Sequence, residues 1–286
     1  MFILQNQKTM KHILINLSLA FLLLVGACNS PVKNISPEEI IIQRIDSLNK
    51  SGFDITDYHA HLKGGLTMEQ LLEHSAKTGI KYGVAVNGGV GFPVQNDTAL
   101  SAYFQSVKNY PVFHGLQGEG REWVSLFSPD SIALFDYKFT DAMTFTDAAG
   151  NRNRLWIKEE AWVSDPQEFM EYLVLQIETI LSNEDVDIYV NPTFLPDTIQ
   201  SQYDVLWTQE RMERVVTALK ENQIAMEINS RLKLPSAAFI KMAKEAGVKF
   251  TMGTNNTNAE LGYLEYGLAM IQECGLRPED FWKCGK

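Results

Sequence analysis

The stretch FDITDYHAHLKGG, residues 53–65, decides how the rest of the chain is read. It has the pattern of a strand that ends on two histidines. Successive strand side chains point to opposite faces, so Ile55, Asp57, His59 and His61 are expected to share one side. A His-x-His at the C-terminal end of an early strand can bring two imidazoles to one ion without distorting the backbone. The motif is short, however, and the same residues also suit a plain polar strand end.

Working outward, the chain alternates apolar strands with helices. Thr67 and Gln70 form a capping box that opens a helix ending at Gly79. Strands are expected at 81–87, 112–119, 137–145, 187–191, 224–229 and 248–253. Between them the spacing predicts helices near 98–108, 164–181, 208–222 and 235–246, with a last helix at 259–274. Connections of this length cross over, which implies a parallel sheet. The fold class expected is α/β, a (βα)7 TIM-like barrel, with an open doubly wound sheet as the alternative. Closure is favoured because His59, His61, Asn87, Glu119, Asp141, Asn191, Glu227, Asn229 and Asn255 all fall at C-terminal strand ends. In a barrel those ends share one mouth. Two additions are expected: an N-terminal helix from Pro37 to about Gly52 that covers one end, and a hairpin flap after strand 4, where 152–157 folds back over a turn at 147–151.

With these pieces in order, the chain resembles the polymerase and histidinol phosphatase (PHP) superfamily. The resemblance runs through DYHAH at 57–61, TMEQLLEHSAKTGIKYGVAV at 67–86, the segment around Glu119 and GVKFTMGTNN at 247–256. It implies a seven-stranded barrel, up to three divalent metals and hydrolysis of phosphate esters, with His59, His61 and Glu119 among the ligands. Two family positions differ. Asn87 stands where a histidine usually follows the second strand, and Gly253-Thr254-Asn255-Asn256-Thr257 replaces a Gly-Ser-Asp-Ala-His pattern. Amides bind transition metals poorly, so the expected cofactor is one divalent ion, zinc, manganese or iron, on His59, His61 and Glu119. Asn255 marks the missing anionic ligand. The amidohydrolase barrels also begin with His-x-His, but their later histidines have no counterpart among the five present here.

The remaining polar residues suggest a substrate. Asp141 or Glu227 could act as base, the alternative for Glu227 being a structural carboxylate pairing with Arg231 or a loop amide. Lys63, Arg121 and Arg231 follow strands that carry site residues and suit an anionic group. Asn87, Gln117, Asn191, Asn229, Asn255 and Asn256 offer donors and acceptors together, which suits a hydroxyl-rich small molecule. Two functions fit: a metal-dependent hydrolase of a phosphoester or similar small anionic substrate, or a catalytically inactive barrel that binds a carbohydrate or phosphorylated metabolite.

The N-terminal region carries a separate message. Lys8 and Lys11 precede an apolar run at 13–25, too short to cross a bilayer comfortably but suited to a signal peptide. Val25-Gly26-Ala27-Cys28 resembles the bacterial lipoprotein cleavage box. The expected organisation is therefore a signal peptide at 1–27, lipidation at Cys28, a tether and N-terminal helix at 28–52 and the barrel domain at 53–286. It places the protein outside the cytoplasm, on a periplasm-facing membrane or the cell surface, held through its lipid anchor only. With 35 acidic and 25 basic residues the net charge is −10, and losing Lys8 and Lys11 makes the mature chain more acidic still. Nucleic acid is thereby disfavoured as a partner. Cys274 and Cys284 could pair in an oxidising compartment or remain free thiols. Replacing the anchor residue, Cys28→Ser, should abolish incorporation of labelled palmitate and move the protein from the membrane to the soluble fraction; a variant that stays tightly membrane-bound would refute lipidation at this site.

Overall fold

The computed structural model describes residues 36–147 and 149–285. The signal peptide, Cys28 and the tether lie outside the described residues. The compact unit Glu38–Lys286 begins in helix α1 (Pro37–Lys50), continues through β1 (Thr56–Ala60), α2 (Met68–Thr78), β2 (Lys81–Gly88), α3 (Asp97–Val107) and β3 (Phe113–Gly118), and passes the one-turn helices α4 (Trp123–Leu126) and α5 (Pro129–Ile132) to β4 (Tyr137–Thr140). After the hairpin of β5 (Thr144–Thr146) and β6 (Arg152–Arg154) come α6 (Pro166–Asn183), β7 (Ile188–Tyr189), α7 (Tyr203–Leu206), α8 (Gln209–Glu221), β8 (Ala225–Asn229), α9 (Ala237–Ala246), β9 (Phe250–Gly253) and α10 (Glu265–Glu273). Seven parallel strands close into a barrel in the order β1-β2-β3-β4-β7-β8-β9, and β5 and β6 form a separate antiparallel pair. The closed seven-stranded barrel with a hairpin after its fourth strand is the architecture expected from the sequence.

Local chemistry explains several of these boundaries. Thr67 Oγ1 accepts from Gln70 N at 3.2 Å while Gln70 Oε1 accepts from Thr67 N at 2.9 Å, and Gly79 closes the helix in the left-handed region, φ 77°. Helix α6 is capped by Asp165, which accepts from the amides of Gln167 and Glu168. The long fourth strand expected at 137–145 is divided in two. The break falls at Asp141, whose Oδ1 accepts from Met143 N at 2.9 Å and turns the chain out of the barrel wall into the hairpin.

The strict alternation expected along β1 also fails, for a definable reason. A register shift against β2 falls between Asp57 and Ala60, the mark of a bulge. Tyr58 joins Phe139 in the cluster inside the barrel, and His59 lies edge-on to the same Phe139 ring at 4.8 Å. Ile55 packs instead in the larger core between strands and helices. Asp57 turns its carboxylate to the end of β9, accepting from Thr254 Oγ1 at 2.6 Å and from His59 N at 2.9 Å.

The last helix starts later than its pattern suggests. It is expected from residue 259 and begins at Glu265, because Leu264 takes a left-handed conformation, φ 58°, and Asn258 Oδ1 caps a turn at Glu260 N. Residues 257–264 form a loop beside the mouth. At the other end of the barrel, Trp282 packs edge-on to Tyr58 at 5.2 Å and donates its amide to Phe250 O, so the end of the chain plugs the interior. No disulfide joins Cys274 and Cys284.

Tyr137 fills the barrel between two glycines. Its hydroxyl donates to Tyr58 O at 2.6 Å, and a Cβ on Gly83 or Gly115 would stand 2.2 Å from its Oη or 2.5 Å from its Cζ. Neither position has room for a side chain. Gly115→Val should therefore destabilise the fold by about 1–3 kcal/mol or more, as overpacked cores do; urea unfolding that shows no loss would mean that the ring can move aside.

Candidate active site at the barrel mouth

Two histidines of β1 and the residue after it are held by different partners on one side of each ring. His59 Nδ1 donates to Glu227 Oε1 at 2.6 Å, and His61 Nδ1 donates to Ala85 O at 2.9 Å. Both residues are buried. A proton fixed on Nδ1 leaves each Nε2 as a lone-pair acceptor. His61 Nε2 is buried without any partner. His59 Nε2 lies 3.3 Å from Gln117 Oε1, an acceptor facing an acceptor, and Asn87 Nδ2 holds that amide oxygen in place at 2.8 Å. Burial, then the positive charge of Lys63, keeps His61 well below the usual histidine range and hence neutral.

The carboxylates are unequal. Glu227 is fully buried, and its second oxygen accepts from Asn191 N at 2.8 Å and Asn229 Nδ2 at 3.1 Å. With both oxygens engaged, it orients His59 and is not placed as a base; it pairs with a loop amide, Asn191 N, and makes no ion pair with Arg231. Glu119, just past β3, accepts from Asn87 Nδ2 at 2.6 Å. Burial, with the negative charge of Asp141 added, pushes Glu119 up to about 8. Asp141 is raised by the same burial and accepts from Asn191 Nδ2 at 2.9 Å.

Some of these groups border a cavity of about 340 Å³, whose lining does not include His59, His61 or Glu227. Lys63, Asn87, Gln117, Glu119, Asp141, Asn191, Arg231 and Asn255 contribute its polar lining, and Phe92, Phe194 and the 43% exposed Trp156 its apolar wall. The Lys63 side chain makes no hydrogen bond or salt bridge, and burial lowers its pKa. Arg231 donates Nε to the carbonyls of Asn255 and Thr254.

Three sequence candidates serve elsewhere. Arg121 pairs with Glu184 at 2.7 Å and donates to Asp141 O and Thr140 Oγ1 at 2.9 Å, so it buttresses Asp141 from behind instead of facing a ligand. Asn256 clamps the His61 backbone, accepting from its N at 2.7 Å and donating to its O at 2.9 Å. Asn229 is wholly buried, bound to Asn191, Glu227 and Leu232 N. Asn255, expected beside the metal, lines the cavity with its amide 3.3 Å from Asn191 Oδ1. Reading the sequence missed Asp57 and Glu184 as supports. Asp57 was legible as the acid two residues before His59, whereas nothing local marks Glu184.

Among the described residues no three His, Cys, Asp or Glu side chains gather closely enough to hold an ion. That argues against a closed or multi-metal centre. The two Nε2 lone pairs, each ring braced at Nδ1 by a carboxylate or carbonyl, nevertheless have the outer support typical of metal-binding imidazoles. The expected third ligand, Glu119, does not gather with His59 and His61, so the donor set that remains for one open divalent ion is the two imidazoles.

No family model and no curated protein matches the chain. Among solved structures it is similar to histidinol phosphate phosphatase from Lactococcus lactis subsp. lactis Il1403, complexed with zinc, L-histidinol and phosphate. The identity is 15%, the match covers 78% of this chain and 95% of that one, and the TM-score is 0.55. A second structure, an HpcH/HpaI aldolase from Desulfitobacterium hafniense DCB-2, is 14% identical over 83% of this chain and 89% of its own, with a TM-score of 0.33. The first likeness establishes a shared barrel fold.

The raised Glu119 carboxyl has a consequence for stability. Its usual value is 4.5, so between 4.5 and about 8 the folded protein keeps a proton that the unfolded chain has lost. Stability should fall as pH rises through that window and level off above it. In Glu119→Gln, urea denaturation with chelator present should show a shallower fall; an unchanged pH slope would place the titration elsewhere.

Proposed function

We propose that this chain is a single-metal hydrolase of the PHP type, acting on a small phosphoester outside the cytoplasm as a lipid-anchored protein. The observation that carries the reading is His61 Nε2, a buried imidazole nitrogen with no partner. The neighbouring His59 Nε2 faces Gln117 at 3.3 Å, and Gln117 lines a cavity whose wall also carries the cations Lys63 and Arg231 and the buried acids Glu119 and Asp141. The phosphatase with the same barrel, whose structure holds zinc, histidinol and phosphate, supports the same reading.

When bound, a divalent ion supplies Lewis acidity toward water and a phosphoryl oxygen. The chain's own groups do the rest. Lys63 and Arg231 hold the phosphate from two sides, which orients the ester and offsets its charge. Glu119, not gathered with the histidines as a ligand and pushed up to about 8 by burial, can give a proton to the leaving oxygen. Asp141, steadied by Met143 N and Asn191, is left to take a proton from the attacking water. Trp156 and Phe92 narrow the entrance and limit competing solvent. Glu227 keeps the His59 proton on Nδ1.

The competing reading, a metal-free binding protein, draws on the absence of a three-ligand cluster among the described residues and on the Asn87–Gln117 amide chain. Metal analysis separates the two. The purified protein should carry close to one equivalent of zinc, manganese or iron, and His61→Ala should lose it; Lys63→Met should keep the metal while raising KM for p-nitrophenyl phosphate about tenfold, the loss of one charge-assisted bond. Metal content that is zero at every loading, or unchanged in His61→Ala, would overturn the metal-dependent reading in favour of binding alone.

A further inference from the structure

A second cavity of about 350 Å³ adjoins the first. Arg231 and Thr257 line both, so one arginine stands in their common wall. Its Nε is spent on the carbonyls of Thr254 and Asn255, and its two terminal nitrogens make no hydrogen bond. The far side is the loop at 257–264, held open by two features. Asn258 packs so closely on Gly64 that a Cβ there would lie 2.5 Å from its Cα, and Asn256 ties the same loop to the His61 backbone. The loop is therefore braced against β1 and the histidines in the arrangement that leaves the cavity beside them.

Resting on the phosphoester reading, we propose that the substrate is bipartite: an ester whose phosphate lies between Lys63 and Arg231, and whose hydroxyl-rich remainder extends past Arg231 into the second compartment. Each compartment is at the lower end of the range for small-molecule sites, roughly 300–1,000 Å³, and room for about one sugar ring. The second is chemically mixed. Thr257 brings a hydroxyl, Asn258 an amide, and Glu260 and Glu265 carboxylates. Donors and acceptors side by side suit hydroxyls. The two acids disfavour a second phosphate there, so a monophosphate is selected over a bisphosphate.

The test is calorimetric binding of a hexose monophosphate, the corresponding disaccharide monophosphate and a hexose bisphosphate. In the unsubstituted protein the disaccharide ester should bind about tenfold tighter than the hexose ester, as one or two added hydrogen bonds would give. Gly262→Phe fills the second compartment without a clash at Cβ, where the nearest atom is 3.7 Å away, and should bring that ratio close to one. Glu260→Lys, at an exposed position, should improve the bisphosphate relative to the hexose monophosphate. Hexose and disaccharide esters that bind equally, or a ratio that survives Gly262→Phe, would overturn the bipartite substrate while leaving the phosphoester reading intact. Failure of all three esters to bind would overturn both.

Discussion

The hydrogen bond from His59 Nδ1 to Glu227 Oε1 spans the barrel from β1 to β8, and most of the site is hung from it. Glu227 has no exposure to water, so its cost of burial is met only by partners that point at it. Those partners are His59, the Asn191 amide and Asn229, drawn from the ends of three strands. Asn191 in turn steadies Asp141, and Asn255 reaches Asn191. The amides that look, in sequence, like a ligand-binding set are largely the frame that keeps a buried carboxylate satisfied.

A second frame lies outside the first. Arg121 and Glu184 form a largely buried pair, with Trp123 Nε1 on the other carboxylate oxygen at 2.6 Å. Its hold on the Asp141 carbonyl fixes the point at which the chain leaves the barrel for the hairpin. The hairpin's returning strand leads at its base into Trp156, which lines the cavity. A support hidden behind the wall thus sets both a carboxylate and the entrance above it.

How far the sequence could be read follows from where the information lies. The barrel was legible because strand–helix alternation and caps such as Thr67–Gln70 are local signals. The mouth was legible because His59, Glu119 and Asp141 end strands whose positions the pattern supplies. What the pattern could not carry was side-chain direction. A bulge at β1 turned Tyr58 and His59 to the same interior, Arg121 found Glu184 across 63 residues, and Asn256 turned to backbone. The start of the last helix failed similarly, since a left-handed Leu264 is settled by the packing of the loop and not by helical spacing.

The clamp between Asn256 and His61 joins positions 195 residues apart, and β1 meets β9 at Asp57 and Met252. Contacts this distant in sequence are closed late, because the entropy of a long loop must be overcome before they contribute. Until Glu227, Asn256 and Trp282 are in place, the segment bearing both histidines lacks the partners that hold it. Its imidazoles would then stand on an unclosed sheet with exposed strand edges. Closure of the barrel mouth thus waits on contacts distant in sequence, and a fragment cut short before Glu227 would hold the conspicuous motif without the residues that position it.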